Sequence, residues 1–297
     1  MGEKILLYSE LPGQKLFRRG KVRDVYDLGD QLLIIATDRI SCFDVVLPSA
    51  IPQKGRVLTE ISCFWFDYIQ DIIGHHLITS LVSEYPAELQ KYSEQISGRS
   101  MLVKKSKPLP VECIVRGYLS GSGWKEYQKR QSVCGIKLPP GLLESDKLPE
   151  IIFTPSTKEE QGHDINVSQG QVEQSIGKEL ADKIKNASIA IYKKAADYAL
   201  SKGIIIADTK FEFGLIKDNL ILIDEVLTPD SSRFWPQSEY QPGKPSISFD
   251  KQFVRDYLAG LNWDMNPPAP QLPEEIIVRT SQKYLEAFER LTGRKLG

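Results

Sequence analysis

The 297-residue chain is 41% hydrophobic and 26% charged, with a formal net charge of −1; that balance is ordinary for a soluble globular protein and gives no general pull toward nucleic acid or an anionic membrane. Its length allows one large or two modest domains, no apolar run approaches the ~20 residues of a membrane span, and Met1 to Glu10 lacks the apolar core of a signal peptide. Four separated cysteines (Cys42, Cys63, Cys113, Cys134) form no CxxC, which argues against a zinc ribbon or thioredoxin motif; the expectation is a reduced, cytoplasmic protein.

Leu16 to Asp38 reads as a β-turn-β unit. Val22, Val25, Tyr26 and Leu28 lead to a turn at Gly29-Asp30, and Leu32 to Ala36 follows as a buried strand. Gly20, Lys21, Val22 and Arg23 fall where the first strand begins. A glycine beside two cations suits polyphosphate, because backbone N–H groups approach closely and the cations neutralise charge. Basic strand ends are also common without any ligand. There is neither a Walker A motif nor GxGxxG, so any nucleotide site is of another kind.

Thr37 to Asp44 and Ile51 to Arg56 read as polar loops, followed by a helix from Val57 to about Ile73 that Gly74 ends. His75 and His76, just past that helix, read as surface or capping residues. Ser100 to Val115 reads as two strands joined by Lys104 to Pro110. Arg116 to Trp124 is a loop offering a guanidinium, two hydroxyls and three glycines. A helix from Trp124 places Ser122 or Gly123 near a helix N-terminus, which favours anions. The alternative is a glycine-rich connection between lobes. Cys134 to Pro155 reads as irregular and Phe153 to Lys158 as a polar loop. Ser168 with Gln171 forms a capping box for a helical region to Lys202, broken near Gly177 and ended by Gly203.

Ile204 to Pro236 reads as a β-hairpin carrying acids. After the apolar run Ile204 to Ala207, period-2 alternation puts Asp208, Lys210 and Glu212 on one face and Phe211 and Phe213 on the other. Lys217 to Asn219 is the turn, and Leu220 to Ile223 returns into Asp224-Glu225. Pairing about Asp218 brings Glu212 and Asp224 close across the ladder. Two such carboxylates repel unless a cation lies between them, and Mg²⁺ often takes one or two carboxylates plus substrate phosphates. The bland alternative is a pair of strand-end charges balanced by Lys210 and Arg233. Beyond the hairpin, Ser248 reads as the cap of a short helix, Asn266 to Pro273 as a proline-rich linker, and Glu274 to Leu291 as the last helix.

Five blocks in order resemble SAICAR synthetase: Gly20 to Tyr26; Val111 to Arg116 with Gly121-Ser122; Phe153 to Lys158; Asp208 to Gly214; and Asp224 to Arg233. The length resembles the longer, single-activity form of fungi and some bacteria. One departure stands out. The family's E-H-D-E-N-I-S is met here by Gly162 to Ser168, with Gly162 and Ile165 in place of two glutamates.

The resemblance implies an α+β fold in two lobes, an N-terminal antiparallel β lobe (1–115) and a larger α+β lobe (116–297), with ATP in the cleft between them. It implies that L-aspartate is joined to CAIR, a carboxylated aminoimidazole ribonucleotide, to give SAICAR, ADP and phosphate through an acyl phosphate. By motif match, Gly20, Lys21, Val22 and Arg23 would form the ATP phosphate loop, and Glu212 and Asp224 would hold Mg²⁺. Arg116, Ser122, Asp230 and Arg233 would bind CAIR. Lys210 would lie near the reacting phosphate, and Asp208 would orient Lys210 or bind metal indirectly. Partners would be small-molecule substrates, with no nucleic acid or membrane; the oligomeric state is left open. Two other readings compete. A small-molecule kinase on a similar fold would need a base near an acceptor hydroxyl and no second carboxylate pocket. A nucleotide-binding regulatory module without turnover would tolerate loss of Glu212 or Asp224.

Overall fold

The computed structural model describes residues 5–158, 165–249 and 251–297. The chain opens with β1 (Lys15–Arg19), β2 (Arg23–Asp27) and β3 (Gln31–Ala36). In β2 buried and half-buried residues alternate, as the sequence implies. The strand β1 is a finding: every residue in it is exposed, so no apolar period marks it. It is held at the sheet edge by its ladder to β2. Gly20 to Val22 is therefore the connection between two strands, not the start of the first.

Next come β4 (Arg39–Cys42) and β5 (Val45–Ala50), a two-stranded ribbon in place of the expected polar loop. Ile40, Cys42 and Leu47 are buried against Val254, Leu258 and Leu272, partners no local pattern reveals. Helix α1 (Lys54–Ile69) starts before Val57 and ends before Ile73. Its early start depends on Gly55, where a Cβ would stand 2.3 Å from the Ala36 carbonyl oxygen. After β6 (Leu77–Thr79) and the short helices α2 (Ala87–Gln90) and α3 (Ser93–Ile96), β7 (Ser100–Lys104) completes an antiparallel sheet of order β1-β2-β3-β7-β6.

The second sheet begins with β8 (Lys107–Tyr118), which absorbs Arg116 into a strand rather than a loop. Residues 115 and 116 lie inside that strand; we propose that the lobes divide at Lys105-Ser106, between the two sheets. There follow α4 (Gly121–Arg130), the hairpin β9 (Ser132–Val133) and β10 (Ile136–Lys137), and β11 (Lys147–Phe153), an ordered strand in a stretch expected to be irregular. After β12 (Ser156–Thr157), helices α5 (Gln169–Ile176) and α6 (Lys178–Ser201) are separated at Gly177, whose φ is 84°. The Ser168–Gln171 capping box is present.

Strand β13 (Ile204–Ile216) pairs along one edge with β8 and along the other first with β15 (Ser232–Pro236) and then with β14 (Asn219–Ile223). Phe211 and Phe213 share one core with Ile184, Ile191 and Ala195 of α6 and with Ile61 and Trp65 of α1. Helices α7 (Gln252–Ala259) and α8 (Glu274–Thr292) end the chain. Ser248 does not cap α7; its hydroxyl donates to the Phe234 carbonyl.

The sheets meet where His75 forms a parallel bridge with Leu222 and the His76 N–H donates to the Leu222 carbonyl at 3.0 Å. His76 is thus not a surface residue. It is 3% exposed, and burial pushes its imidazole down to about 4. All four cysteines are free thiols, and among the described residues no helix is long and apolar enough to cross a membrane.

Candidate active site

A cleft of about 350 Å³ opens where the β1–β2 connection faces the end of the β13–β14 hairpin. Gly20, Lys21, Val22 and Arg23 line one side, and Lys210, Glu212 and Asp224 the other. Seven residues singled out from sequence thus converge. The register Glu212↔Ile223 puts Asp224 just beyond the residue opposite Glu212. Asp224 adopts φ 66°, an uncommon conformation for a residue with a side chain, as the ladder ends.

The cleft is wired by ion pairs between the lobes. Arg23 grips Asp224 with both terminal nitrogens, the Nη2–Oδ2 bond being 2.8 Å, and lies 3.8 Å from Glu225. Burial opposes the Arg23 charge, but Asp224 and Glu225 outweigh it and raise its pKa. Burial likewise works against the Asp224 carboxylate, and Arg23 and Lys210 overcome it, holding the group below its ordinary value. The Glu225 carboxyl is held above its ordinary value by burial; Arg23 opposes this, and Asp230 and Asp224 add to it.

Glu112 and Glu212 stand directly opposite across β8 and β13, a placement that like charges disfavour. Two lysines resolve it. Lys210 donates to Glu112 and lies 3.7 Å from Glu212, while Lys158 donates to Glu212. Burial disfavours the Lys210 ammonium, but Glu212 and Glu112 outweigh burial and raise its pKa. Glu112 and Lys158 were not singled out as site residues, although each sits within a motif block. Their only sequence signal was that position. Gly162, His163 and Asp164 lie outside the described residues; Ile165 is exposed, its N–H donates to Thr157 Oγ1 and its carbonyl accepts from the Thr157 N–H.

A second pocket, of about 470 Å³, is lined by Ser120, Ser122, Lys125, Arg233 and Arg255 among others. Arg116 is 1% exposed and lies beneath it, donating from Nη2 to Ser122 Oγ at 3.0 Å and from Nε to Thr154 Oγ1 at 2.9 Å. Asp208 belongs here. It accepts from Arg116, Arg233 and Ser120, and none of its bonds involves Lys210. That corrects the expectation that it orients Lys210: alternation gave its face of β13 correctly, but its distance along the strand puts it in the other pocket. Arg233 thus donates through Nη1 to Asp208.

Asp230 does not join Arg116, Ser122 and Arg233. It lines the cleft, where Lys54 Nζ donates to it at 2.7 Å, Lys251 lies at 3.3 Å and the Tyr284 hydroxyl also donates. Burial works against its charge, but Lys251 and Lys54 keep it well below the ordinary carboxylate range. Lys54 is wholly buried, and that burial lowers its own pKa.

No group of three or more His, Cys, Asp or Glu side chains among the described residues is placed to hold a metal. Glu212 and Asp224 fit instead an ion that takes one or two protein carboxylates and draws its other oxygens from phosphate. Each already holds a cation, Lys158 in one case and Arg23 in the other.

A two-lobed α+β fold with a charged cleft and an adjoining arginine-bearing pocket has the layout of an enzyme that handles anionic small molecules. The comparisons narrow this. A family model described as SAICAR synthetase matches residues 16–270. Phosphoribosylaminoimidazole-succinocarboxamide synthase of Thermodesulfovibrio yellowstonii is 61% identical over 291 residues, 98% of this chain and 100% of that one. The protein of the same name from Geobacter sulfurreducens is 61% identical over 292 residues, 98% and 99% of the two chains. The SAICAR synthase of Saccharomyces cerevisiae, solved in complex with SAICAR, superposes with a TM-score of 0.90 at 46% identity over 98% of this chain and 99% of that one.

The chain belongs to the SAICAR synthetase family. It is an ATP-dependent ligase of purine biosynthesis that adds L-aspartate to CAIR, and the kinase and binding-module readings are set aside.

Proposed function

We propose that the two pockets divide the reaction between them, the cleft activating a carboxylate and the second pocket anchoring the phosphate of CAIR. The observation that carries this is strand β13. Asp208 belongs to the Arg116–Arg233 pocket, while Lys210 and Glu212 on the same face of the strand belong to the cleft. Four residues of strand span roughly 13 Å, a distance suited to a mononucleotide held by its phosphate at one end and by its ring carboxylate at the other.

In this reading Gly20, Lys21, Val22 and Arg23 receive the ATP phosphates through backbone N–H groups and cation charge. Lys210 and Lys158 face the transferring phosphoryl group and stabilise its charge. Glu212 and Asp224 would hold Mg²⁺, which would neutralise phosphate charge and polarise the reacting oxygens. Arg233, Ser122 and the N-terminal amides of α4 take the CAIR phosphate, with Arg116 behind them. Asp230, anchored by Lys54 and Tyr284, closes the cleft beside the ring end.

A carboxylate oxygen of CAIR attacks the γ-phosphorus and ADP leaves, giving an acyl phosphate. The aspartate amine, having given up one proton, adds to the acyl carbon. The nitrogen then loses a second proton, and phosphate departs carrying the former carboxylate oxygen. The test is ADP release from ATP and Mg²⁺ with CAIR and L-aspartate added singly and together, using CAIR labelled with ¹⁸O in its carboxylate. The expected result is SAICAR formation with both substrates present and one ¹⁸O in the released phosphate. Unlabelled phosphate would overturn the acyl phosphate.

A further inference from the structure

We propose that Asp208 is a positioning residue for substrate anchoring, a built-in counter-ion that fixes Arg116 and Arg233 in place for the CAIR phosphate, and not a participant at the reacting carboxylate. This rests on the reading of the second pocket as the phosphate site. The geometry comes from the sheet itself. Asp208 in the central strand β13 is registered opposite Arg116 of β8 on one side and opposite Arg233 of β15 on the other. Cross-strand neighbours sit roughly 5 Å apart, close enough for both guanidiniums to converge on one carboxylate.

They do converge. Arg233 Nη1 donates to Oδ1 at 2.8 Å and Oδ2 at 2.7 Å, Arg116 Nη1 to Oδ2 at 3.2 Å, and Ser120 Oγ to Oδ2 at 3.0 Å. Three donors make these four contacts, three of them on Oδ2, so the carboxylate is engaged by the two arginines and Ser120 and by no group of the cleft. Asp208 is 5% exposed, so its charge is compensated by these contacts rather than by water.

The surroundings are shaped to the arginines. Gly121, at φ 55°, lies where a Cβ would stand 2.2 Å from Arg233 Nη2, and a Cβ on Gly123 would stand 3.2 Å from Arg116 Cδ. Both glycines open α4, so the helix N-terminus rests directly on the guanidiniums. The charge count explains why an acid is needed. Two converging guanidiniums without a counter-ion would repel each other, and one of them is wholly buried. With Asp208 the group carries a net charge of about +1, to which the α4 N-terminus adds roughly half a charge. That is attractive to a phosphate dianion and still tolerable in its absence.

The test is steady-state kinetics of the full chain with Mg²⁺-ATP, comparing D208N with the parent protein and with R233Q. The expected result for D208N is a rise of at least ~10-fold in KM for CAIR, with kcat within ~3-fold and KM for ATP within ~2-fold. The KI of inorganic phosphate, measured as a competitor of CAIR, should rise in parallel. A fall in kcat of ~100-fold at saturating CAIR with KM unchanged would overturn the proposal, because Asp208 would then act at the reacting groups. Unchanged KM in D208N alongside a raised KM in R233Q overturns the positioning role alone; unchanged KM in R233Q overturns the pocket reading and the proposal with it. If D208N does not fold, S120A, which removes the third donor to Asp208, should raise KM for CAIR a few-fold at constant kcat, and no rise would overturn the proposal.

Discussion

The anion pocket and the cleft are built from the same residue types but wired in opposite ways. In the pocket, Arg116, Asp208 and Arg233 are neighbours in a single sheet, and their charges are satisfied within it. In the cleft, Arg23 belongs to the first sheet and Asp224 ends a hairpin of the second, 201 residues away in sequence. The first arrangement is buried and hydrogen-bonded with no ligand present. The second consists of pairs that, in the proposed reading, a phosphate and its metal ion would re-sort, since Arg23 and Lys158 hold the Asp224 and Glu212 carboxylates. On the proposed division of labour, preorganisation would anchor the substrate and exchangeable ion pairs would serve the chemistry.

Substitutions on the two sides should separate accordingly. The largest effect is expected in the cleft: Glu212→Gln and Asp224→Asn should each cut kcat at least ~10²-fold, on the scale of losing one key electrostatic group. Near-wild-type turnover in both would break the metal assignment and with it the contrast. On the pocket side, Arg233→Ala should raise KM for CAIR about 10- to 100-fold, the value of a charged hydrogen bond, and leave KM for ATP unchanged. A comparable loss of ATP affinity would mean that the pockets do not act separately.

Gly121→Ala sharpens the comparison without touching a charge. Its Cβ would collide with Arg233 and would impose a positive φ on a residue with a side chain. The expected outcome is a rise of about 10-fold in KM for CAIR with kcat retained. The smallest effect is expected from Lys21→Met. Lys21 is half exposed, so solvent screens its charge on a phosphate, and exposed ionic contacts contribute ~1 kcal/mol or less. KM for ATP should rise no more than about fivefold, and titration of nucleotide binding should give the same factor.

Much of this was legible in the residues. The acid-bearing hairpin, its turn at Lys217-Asp218, the burial of Phe211 and Phe213, the capping box at Ser168 and the break at Gly177 follow from period, turn chemistry and glycine. Where expectation failed, the missing information was a partner distant in the chain. The β4–β5 ribbon reads as a polar loop because Ile40, Cys42 and Leu47 are buried by Val254, Leu258 and Leu272 from the far end of the chain. His76 looks like a post-helix surface residue until the second sheet covers it. Lys54 and Asp230 are far apart in sequence, and nothing local announces a buried ion pair.

The sequence by itself determined which side chains face which way along β13, because side-chain alternation is a local property of the extended backbone. It also determined the family, because five ordered blocks survive intact. Only the tertiary structure decided which pocket each residue serves. Asp208 and Lys210 share a face of β13, yet one lies between two arginines and the other between two glutamates. Strand register and the meeting of the two sheets settle that difference, and both depend on non-local pairing that no local pattern encodes.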